Sequence, residues 1–324
     1  MMKETPMVMG DIVPNPEDPV LVIGAAGVDI VARLRGELQS GSSNPAQIRF
    51  SFGGVARNVA ENLARLGHPV RLVTAVGNDY LGDQLVQQSA AAGVGIEAIL
   101  RSSNHPTGTY AAVLNPRGGI QYAVDDMRPI GQIRPSYLRK NTSLFKGSNL
   151  LFVDANLPEP SIRTTVSLAQ RYNLPVCADP TSVVLAPRLK PFLSNLYLIT
   201  PNSAEAAVFC DQSFDPSNRS QALEAAKHLV SQGVDIAIIT LAEFGVCYAT
   251  SETSGYIPAI GTEIQDPTGA GDALTATVIF ALLNDIPLDD AVRLGVSAAS
   301  LTLRHQGAVV ADLSLEMLYN QLVI

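Results

Sequence analysis

Cysteine and histidine are scarce in this sequence, which has three cysteines and four histidines among 324 residues. The cysteines, Cys177, Cys210 and Cys247, are odd in number, far apart and without CxxC spacing, which excludes a disulfide framework and a cysteine-ligated zinc site. The histidines show no metal-ligand spacing either. This usage is typical of the reducing cytoplasm, where we expect the protein to act.

An excess of positive charge and long hydrophobic runs are also missing. The formal net charge is −8 and the pI is about 5.0, whereas proteins that bind nucleic acid usually carry a basic face. No apolar run approaches the roughly 18 residues that span a bilayer. Residues 1–19 lack the apolar region of a signal peptide. We therefore expect a flexible tail over 1–19 and no nucleic-acid or membrane partner.

Three common enzyme motifs are absent as well. No GxxxxGK[ST] sequence is present, and the turn 24–27, Gly-Ala-Ala-Gly, lacks the dinucleotide-binding fingerprint. The sequence 295–297, Gly-Val-Ser, lacks the second glycine of a nucleophile elbow. These absences argue against a P-loop NTPase, a Rossmann dehydrogenase and an α/β-hydrolase.

The sequence does contain alternating apolar runs and helical stretches. Short apolar runs typical of buried parallel strands occupy 20–26, 70–75, 150–153, 176–179, 196–200 and 236–240. Helical stretches lie at 55–66, 81–92, 162–172, 203–210 and 221–232. This alternation predicts one α/β domain over 20–324 with a mostly parallel, doubly wound sheet, in which ligands bind at the carboxyl ends of the strands.

Two segments, 31–52 and 107–126, break the alternation. The second contains two strand-like runs, 109–114 and 120–124, joined by a five-residue turn rich in glycine and proline. A small antiparallel sheet inserted here would act as a lid that keeps water away from a reaction; an ordinary edge extension is the alternative. Exposed strand edges seek partners, so the lid could also form a homodimer.

The most informative stretch is 266–273, Asp-Pro-Thr-Gly-Ala-Gly-Asp-Ala, which runs into an apolar helix from residue 273 to about 284. The amides of Gly269, Ala270 and Gly271 form a predicted anion hole at the helix N-terminus. A carboxylate repels phosphate, so Asp272 is best explained as a base that takes a proton from an attacking hydroxyl. A simple N-cap role for Asp272 is the alternative.

Two further motifs lie at predicted helix starts. Gly53 and Gly54 precede a helix in which Asn58 lies one turn inward, while Arg57, Glu61 and Arg65 are expected to form a solvated face. In the second motif, Asn202 and Glu205 have the spacing of a capping box.

These motifs, with Asp29 after the first strand, resemble in order and spacing the ribokinase (PfkB) family of sugar and nucleoside kinases over about residues 20–312. The resemblance implies a ribokinase-like three-layer α/β/α sandwich with a β lid. It implies an ATP-dependent phosphotransferase with Asp272 as its base. It also implies that Gly53, Gly54 and Asn58 contact the sugar and that Asp29 binds two of its hydroxyls.

The resemblance assigns further residues to the nucleotide and its ions. Asn202, Thr240, Gly245 and Ala299 match nucleotide-binding positions, although small residues such as Ala299 also suit tight helix packing. Glu205 matches a residue that acts on Mg²⁺ through water. Asp266 and Thr268 match positions whose oxygens surround a monovalent cation such as K⁺. Two departures are Ala242, where glycine is frequent, and Pro267, where threonine is commoner.

The segments 43–58, 124–127 and 153–156 are most similar to the pseudouridine kinase branch of the family. The implied reaction is phosphorylation of the 5′-hydroxyl of pseudouridine, with Asn44 and Asp126 reading the sugar or base. Free-sugar kinase activity is the main alternative, followed by purine nucleoside kinase activity. A catalytically silent sugar or nucleoside sensor is a further alternative, but it leaves the intact Asp272 unexplained.

Overall fold

The residues described by the computed structural model, 18–212 and 214–322, form three β-sheets. The strands are β1 (Val20–Ile23), β2 (Gly27–Leu34), β3 (Ala46–Gly53), β4 (Val70–Val73), β5 (Ala75–Gly77), β6 (Leu100–Ser102), β7 (Thr109–Leu114), β8 (Ile120–Asp126), β9 (Leu150–Asp154), β10 (Val176–Asp179), β11 (Leu198–Ile199), β12 (Ile236–Thr240), β13 (Val246–Ala249) and β14 (Ser254–Ile257). All but the last two of the residues predicted to form a tail, 1–19, lie outside the described residues.

The central sheet has eight strands in the order β14-β13-β12-β11-β10-β9-β1-β4. The six strands from β12 to β4 are parallel, and β13 and β14 extend the sheet antiparallel at one edge. Strands such as β1 and β9 are fully buried along their length because helices cover both faces of the sheet. The predicted doubly wound, mostly parallel sheet is therefore confirmed.

The α-helices of the described residues cover both faces of the central sheet, except the second helix, which packs against β2 and β5. They are α1 (Val55–Arg65), α2 (Tyr80–Ala91), α3 (Pro135–Lys140), α4 (Ser143–Lys146), α5 (Glu159–Arg171), α6 (Ser203–Cys210), α7 (Arg219–Ser231), α8 (Ala270–Leu283), α9 (Leu288–Leu303) and α10 (Leu315–Leu322). Residues of α1, α8, α9 and α10 pack into one core cluster, and residues of α3 to α7 pack into the other. No helix in the described part of the chain is long and apolar enough to cross a membrane.

A separate four-stranded sheet, here called the lid sheet, has the order β3-β2-β7-β8. The predicted hairpin is observed as the antiparallel pair β7–β8, and β2 and β3 form a second hairpin out of the other predicted segment. The two hairpins join through the parallel pair β2–β7, a long-range pairing that the sequence did not predict. The lid sheet is therefore a mixed sheet that contains both antiparallel and parallel strand pairs.

Two boundaries differ from the sequence predictions in ways that shape the site. The apolar run 20–26 is not one strand, because β1 ends at Ile23 and the chain enters β2 of the lid sheet at Gly27. The helix predicted from residue 273 begins earlier, at Ala270. Consequently Asp29 lies in the lid sheet, and Asp272 lies inside the first turn of α8.

Candidate active site

The carboxyl end of the central sheet carries a cluster of acidic side chains. Asp154 ends β9 and Asp179 ends β10, and the two residues are paired in register. Asp29 lies in β2 directly after the turn that follows β1, and only 4% of its surface is exposed. The parallel strands bring these carboxylates to the sheet edge at which α/β proteins bind their ligands.

The start of α8 carries the amides that are predicted to form an anion hole. Gly269 is the N-cap, with φ of 80°, and a Cβ there would lie 2.1 Å from the carbonyl oxygen of Ala308, so only glycine fits. A Cβ added to Gly271 would meet nothing within 4 Å, which leaves open space beside the first amides of the helix. These amides have no partner within their own helix, and the free space beside them suits an anion such as a phosphate group.

Asp272 is not the N-cap of α8, because Gly269 has that position and no side chain caps the helix. Instead Asp272 Oδ2 accepts a 2.7 Å hydrogen bond from Asn58 Nδ2. Burial raises the pKa of Asp272 to about 7; the Asn58 hydrogen bond lowers it, and the negative charges of Asp29, Asp154 and Glu205 raise it further. A carboxylate with a pKa near the working pH can accept a proton from a hydroxyl.

The expectation that Arg57 and Glu61 lie on a solvated face is wrong. Arg57 is 3% exposed and Glu61 is 5% exposed, and their side chains form an ion pair. The periodicity of α1 predicted its apolar stripe correctly, but its charged face is covered by other elements: Arg57 donates hydrogen bonds to the carbonyl oxygen of Phe52 in β3 and to Oε1 of Gln88 in α2. Because Arg57 Nη1 also donates to Asn58 Oδ1 at 3.2 Å, Arg57 belongs to the candidate site, and sequence reasoning missed it.

Asp29 is the second residue of the site whose carboxyl pKa is raised. Burial raises its pKa to about 7, with the Arg57 charge lowering it and the Asp266 charge raising it. A Cβ at Gly53 would lie 2.0 Å from Asp29 Oδ2, so glycine at position 53 makes room for this carboxylate. Gly54 has φ of 95°, and a Cβ there would lie 2.6 Å from the carbonyl oxygen of Ala25. Both glycines thus allow α1 to start against the β1–β2 turn.

Asp154 and Asp179 are buried carboxylates to which the sequence assigned no role. Asp154 accepts hydrogen bonds from the amides of Ala25, Ala56 and Asn156, which ties the β1–β2 turn to the start of α1. Burial raises the pKa of Asp154. Burial, followed by the charges of Glu205 and Asp272, raises the pKa of Asp179 well above its usual value.

The Asn202–Glu205 capping box is present at the start of α6. Asn202 Oδ1 accepts from the amides of Ala204 and Glu205, and Glu205 Oε2 accepts from the amide of Asn202. The other oxygen of Glu205 accepts no hydrogen bond from the described residues, and burial raises the pKa of this carboxyl group. The cap therefore leaves one carboxylate oxygen of Glu205 available for an ion or its water.

Thr240 ends β12 and pairs with Asn202 in an isolated bridge, so two predicted nucleotide-binding residues are neighbours. Ala242 follows in the left-handed region, with φ of 51°. Gly245 has φ of 94°, and a Cβ there would lie 2.3 Å from the carbonyl oxygen of Ile257. The backbone thus retains at Ala242 a conformation that glycine adopts more readily.

The Asp266 carboxylate fixes the loop that leads into α8. Its Oδ1 accepts from the amide of Thr268, and its Oδ2 accepts from the amide of Gly307. Ala299 in α9 packs at the margin of the core, as tight helix packing predicts. The hydroxyl of the adjacent Ser300 is buried without a hydrogen-bond partner among the described residues.

Two predicted substrate residues lie apart from this cluster. Asn44 is in the β2–β3 loop, where its side chain bonds to the backbone of Gln39 and Ser42. Asp126 ends β8 and binds Arg128 through both carboxylate oxygens.

Strand alternation explains the position of Asp126. The register aligns Asp29 with Tyr110 and Asp125, while Asp126 aligns with Thr109 and points to the opposite face of the lid sheet. Tyr110 and Asp125 therefore share the Asp29 face, and sequence spacing alone could not reveal this because the β2–β7 pairing is long-range.

Comparison with known proteins agrees with this geometry. Residues 18–314 match the pfkB family of carbohydrate kinases. The protein belongs to this family. As a pfkB kinase it is 29% identical to the pseudouridine kinase of Escherichia coli strain K12, over 92% of this chain and 95% of that protein. It is 25% identical to the guanosine-inosine kinase of Exiguobacterium acetylicum, over 87% of this chain and 93% of the relative.

Solved structures confirm the fold. A carbohydrate kinase from Agrobacterium tumefaciens superposes with a TM-score of 0.79 at 27% identity, covering 94% of this chain and 97% of that one. An Arabidopsis thaliana ribokinase solved with ribose and ATP has a TM-score of 0.82 at 19% identity, covering 95% of this chain and 99% of that one. The predictions of a pfkB kinase and of a ribokinase-like α/β/α sandwich are both confirmed.

Proposed function

We propose that this sugar or nucleoside kinase transfers the γ-phosphoryl group of ATP to the 5′-hydroxyl of pseudouridine. The observation that carries the proposal is the position of Asp272 in the first turn of α8, between the amides of Gly269 to Gly271 and the Asn58 side chain. A base with a raised pKa beside free amides is the arrangement that phosphoryl transfer to an alcohol requires.

In the proposed reaction, Asp29 accepts hydrogen bonds from two neighbouring hydroxyls of the sugar and so directs the primary hydroxyl towards Asp272. Asp272 takes the proton of that hydroxyl as its oxygen forms a bond to the γ-phosphorus. The bond from this phosphorus to the β,γ-bridging oxygen breaks, and ADP leaves with the electron pair. The amides of Gly269, Ala270 and Gly271 stabilise the negative charge on the transferred group.

The nucleotide is assigned to the edge formed by Asn202, Thr240, Gly245 and Ala299. Bound Mg²⁺ would neutralise phosphate charge, and the donor set fits it: Mg²⁺ keeps several waters and uses few carboxylates, and Glu205 offers one free oxygen at the start of α6. Among the described residues, no group of three or more His, Cys, Asp or Glu side chains could hold a metal ion alone. We assign a K⁺ site to the Asp266–Thr268 loop.

We propose pseudouridine rather than another acceptor because the chain is similar to the E. coli pseudouridine kinase over nearly the whole length of both proteins. Tyr110 supports a nucleoside, because its half-buried ring lies on the Asp29 face of the lid sheet and offers a flat surface to a base. A purine nucleoside and free ribose are the competing acceptors, given the similarity to guanosine-inosine kinase and to a Haemophilus influenzae ribokinase at 24% identity.

The test is an ATP-consumption assay with pseudouridine, uridine, adenosine, guanosine and ribose as acceptors. We expect the highest kcat/KM with pseudouridine and a loss of at least about a thousandfold in kcat for Asp272→Asn, with pseudouridine binding retained. A higher kcat/KM with guanosine or ribose would identify that compound, in place of pseudouridine, as the acceptor. Turnover retained by Asp272→Asn would reject the assignment of Asp272 as the base. If wild type bound an acceptor but turned none over, the protein would be a sensor.

We also propose a cytoplasmic homodimer formed through the lid sheet. The face of the lid sheet opposite Asp29 exposes Ile48, Phe50, Tyr122 and Val124. Apolar side chains so concentrated on one face favour contact with another protein surface, and a second copy presents a matching apolar face. The three cysteines are free thiols, in keeping with a reducing compartment.

A further inference from the structure

The orientation of the Asn58 side chain depends on its neighbour Arg57. An amide has a donating and an accepting end, so Asn58 can present either end to Asp272. Arg57 has donors only, and its Nη1 lies 3.2 Å from Asn58 Oδ1. This contact holds the accepting end of the amide towards Arg57 and leaves Nδ2 to donate to Asp272 Oδ2 at 2.7 Å.

The guanidinium group of Arg57 is itself fixed from several directions. Its Nη1 donates to the carbonyl oxygen of Phe52 at 2.9 Å, and its Nη2 donates to Gln88 Oε1 at 3.3 Å. The Glu61 carboxylate pairs with it one turn along α1. Arg57 therefore connects β3, α1 and α2 at the point where the lid sheet meets the central sheet, and a planar fork of donors suits such a junction better than a point charge does.

We infer that Arg57 is a positioning residue for the base Asp272 and acts through the Asn58 amide. The inference rests on the proposed function, in which Asp272 takes the proton of the acceptor hydroxyl. It gives a chemical task to a buried ion pair that neither the sequence motifs nor the comparisons assign.

The charges around Asp272 make its pKa depend on Arg57 and on the contact between Arg57 and Asn58. Within the described part of the chain, the charged groups that act on Asp272 are Asp29 from β2, Arg57 from α1, Asp154 from β9, Asp179 from β10 and Glu205 from α6. Arg57 is the cation of this set. Loss of its charge and of the ordered Asn58 amide both disfavour the ionised form of Asp272, so each raises the pKa of the base.

The variant that tests the inference is the double substitution Arg57→Met/Glu61→Met. Removing Arg57 alone would leave Glu61 buried without its partner, which is strongly destabilising, whereas replacing both members with apolar side chains is tolerated far better. Arg65→Met is the matched control, because Arg65 pairs with the same Glu61 at 3.2 Å from the same helix but makes no contact with Asn58.

The main readout is the pH dependence of kcat with ATP, Mg²⁺ and the acceptor that wild type phosphorylates best. We expect the acid limb of the double variant to move up by about one pH unit, so that kcat below the limb falls about tenfold, while Arg65→Met keeps the wild-type profile. A double variant with wild-type thermal stability, wild-type kcat and an unmoved acid limb would overturn the inference. A uniform loss of kcat with an unmoved limb would also overturn it, since that result indicates only a structural role.

Two further measurements keep the test decisive. If the double variant does not fold, Arg57→Lys retains a charge opposite Glu61 but not the fork that holds Asn58; a several-fold loss of kcat with a raised acid limb supports the inference, and a wild-type profile rejects it. In the free protein, a ¹³C NMR titration of aspartate carboxyls, with Asp272 assigned by its absence in Asp272→Asn, should show the same upward shift. An active Asp272→Asn would instead reject the assignment of Asp272 as the base, on which the inference rests.

Discussion

Asn58 Nδ2 and Asp272 Oδ2 lie 2.7 Å apart although the two residues are 214 positions apart in the sequence. The hydrogen bond joins the first turn of α1, which follows the glycines proposed to face the sugar, to the first turn of α8, which follows the glycines proposed to face the phosphate. Two short motifs thus become one site because the central sheet places both helix starts at the same edge. The contact also limits where the acceptor hydroxyl fits, since it occupies one oxygen of the base.

The first prediction concerns the pH dependence of activity. The pKa values of Asp29 and Asp272 are both raised to about 7, so log kcat/KM should fall as the pH drops below about 7. The two carboxylates interact, so the apparent pKa values belong to the pair. Asp29→Asn removes a negative charge that raises the pKa of Asp272, and its acid limb should therefore lie at lower pH than that of wild type.

Steady-state kinetics between pH 5 and pH 9 provide the measurement. Asp83→Asn, which removes an exposed carboxylate of α2, is the control and should not change the pH midpoint of the acid limb. A midpoint of the acid limb that stays fixed in Asp29→Asn would show that the two carboxylates do not interact, and a midpoint that rises would contradict the predicted direction.

The second prediction concerns stability without ligands. The folded-state pKa of Asp272 lies above its unfolded value of 3.8, so the folded protein binds more protons between about pH 4 and pH 7. The free energy of unfolding therefore falls as the pH rises through this window. Asp272→Asn removes a charge that is disfavoured in the folded protein and should raise the free energy of unfolding at pH 8 by on the order of 1–2 kcal/mol, a value kept small because the side chain is partly exposed to solvent. Little change is expected at pH 4, where the folded protein already carries the protonated carboxyl group.

Urea unfolding at pH 4 and pH 8 tests this sign. Asp126→Asn is the opposite case, because Arg128 lowers the pKa of Asp126 to about 2 and the charged form is the favoured one. That substitution should lower stability slightly at pH 8. If Asp272→Asn proves less stable than wild type at pH 8, the carboxylate contributes a stabilising contact that outweighs the cost of burying its charge.

The sequence predicted the layered fold, and it pointed to most residues of the candidate site, because both depend on local patterns. Continuous apolar runs indicated parallel strands, and glycines before apolar helices indicated the starts of α1 and α8. The capping box of Asn202 and Glu205 was likewise visible as a spacing. Each of these features depends on residues a few positions apart, for which periodicity and helix-capping rules hold.

What the sequence missed depends on contacts between distant segments. Arg57 and Glu61 have the spacing of an exposed helical pair, and only the packing of α1 beneath β3 and α2 buries them. The face of Asp126 follows from a strand register that the sequence does not specify. Asp154 lies at a predicted strand end, but its task of holding the amides of Ala25 and Ala56 appears only in three dimensions.

The third prediction concerns the backbone at Ala242. Its φ of 51° is in the left-handed region, which costs a residue with a Cβ roughly 1–2 kcal/mol. Ala242→Gly removes this strain but adds flexibility to the unfolded chain, so we expect a net gain of about 0.5 kcal/mol in the free energy of unfolding. The neighbouring Glu243→Gly is the control: it gains flexibility without relieving strain and should be destabilising. Chemical unfolding of both variants measures the sign of the change in the free energy of unfolding. A lower value for Ala242→Gly than for wild type would contradict the backbone strain at Ala242.

The fourth prediction separates a nucleoside from a free sugar. The Tyr110 ring lies on the Asp29 face of the lid sheet, and contact with a flat base would contribute on the order of 1 kcal/mol. Tyr110→Leu should therefore raise KM for pseudouridine about fivefold to tenfold with little change in kcat. Tyr80→Leu, at an exposed tyrosine of α2, is the control. An unchanged KM in Tyr110→Leu would mean that the base does not pack on the lid sheet.

The fifth prediction tests the homodimer. Phe50 is 70% exposed and Val124 is 69% exposed, on the two edge strands of the lid sheet, and both belong to the same row of its outer face. Wild type should elute in size-exclusion chromatography with light scattering at twice the 34.3 kDa mass of the chain. Phe50→Glu and Val124→Glu should each shift it to the single-chain mass, because a charge buried in an apolar interface is costly.

Tyr319→Glu is the matched control for these two variants, because it places the same charge on a half-exposed aromatic residue of α10, away from the lid sheet. It should keep the mass of wild type. A wild-type mass of one chain at micromolar concentration would reject the dimer. A dimer that survives both glutamate substitutions would move the interface to another surface, since neither charge could be buried against a second apolar face without weakening the association.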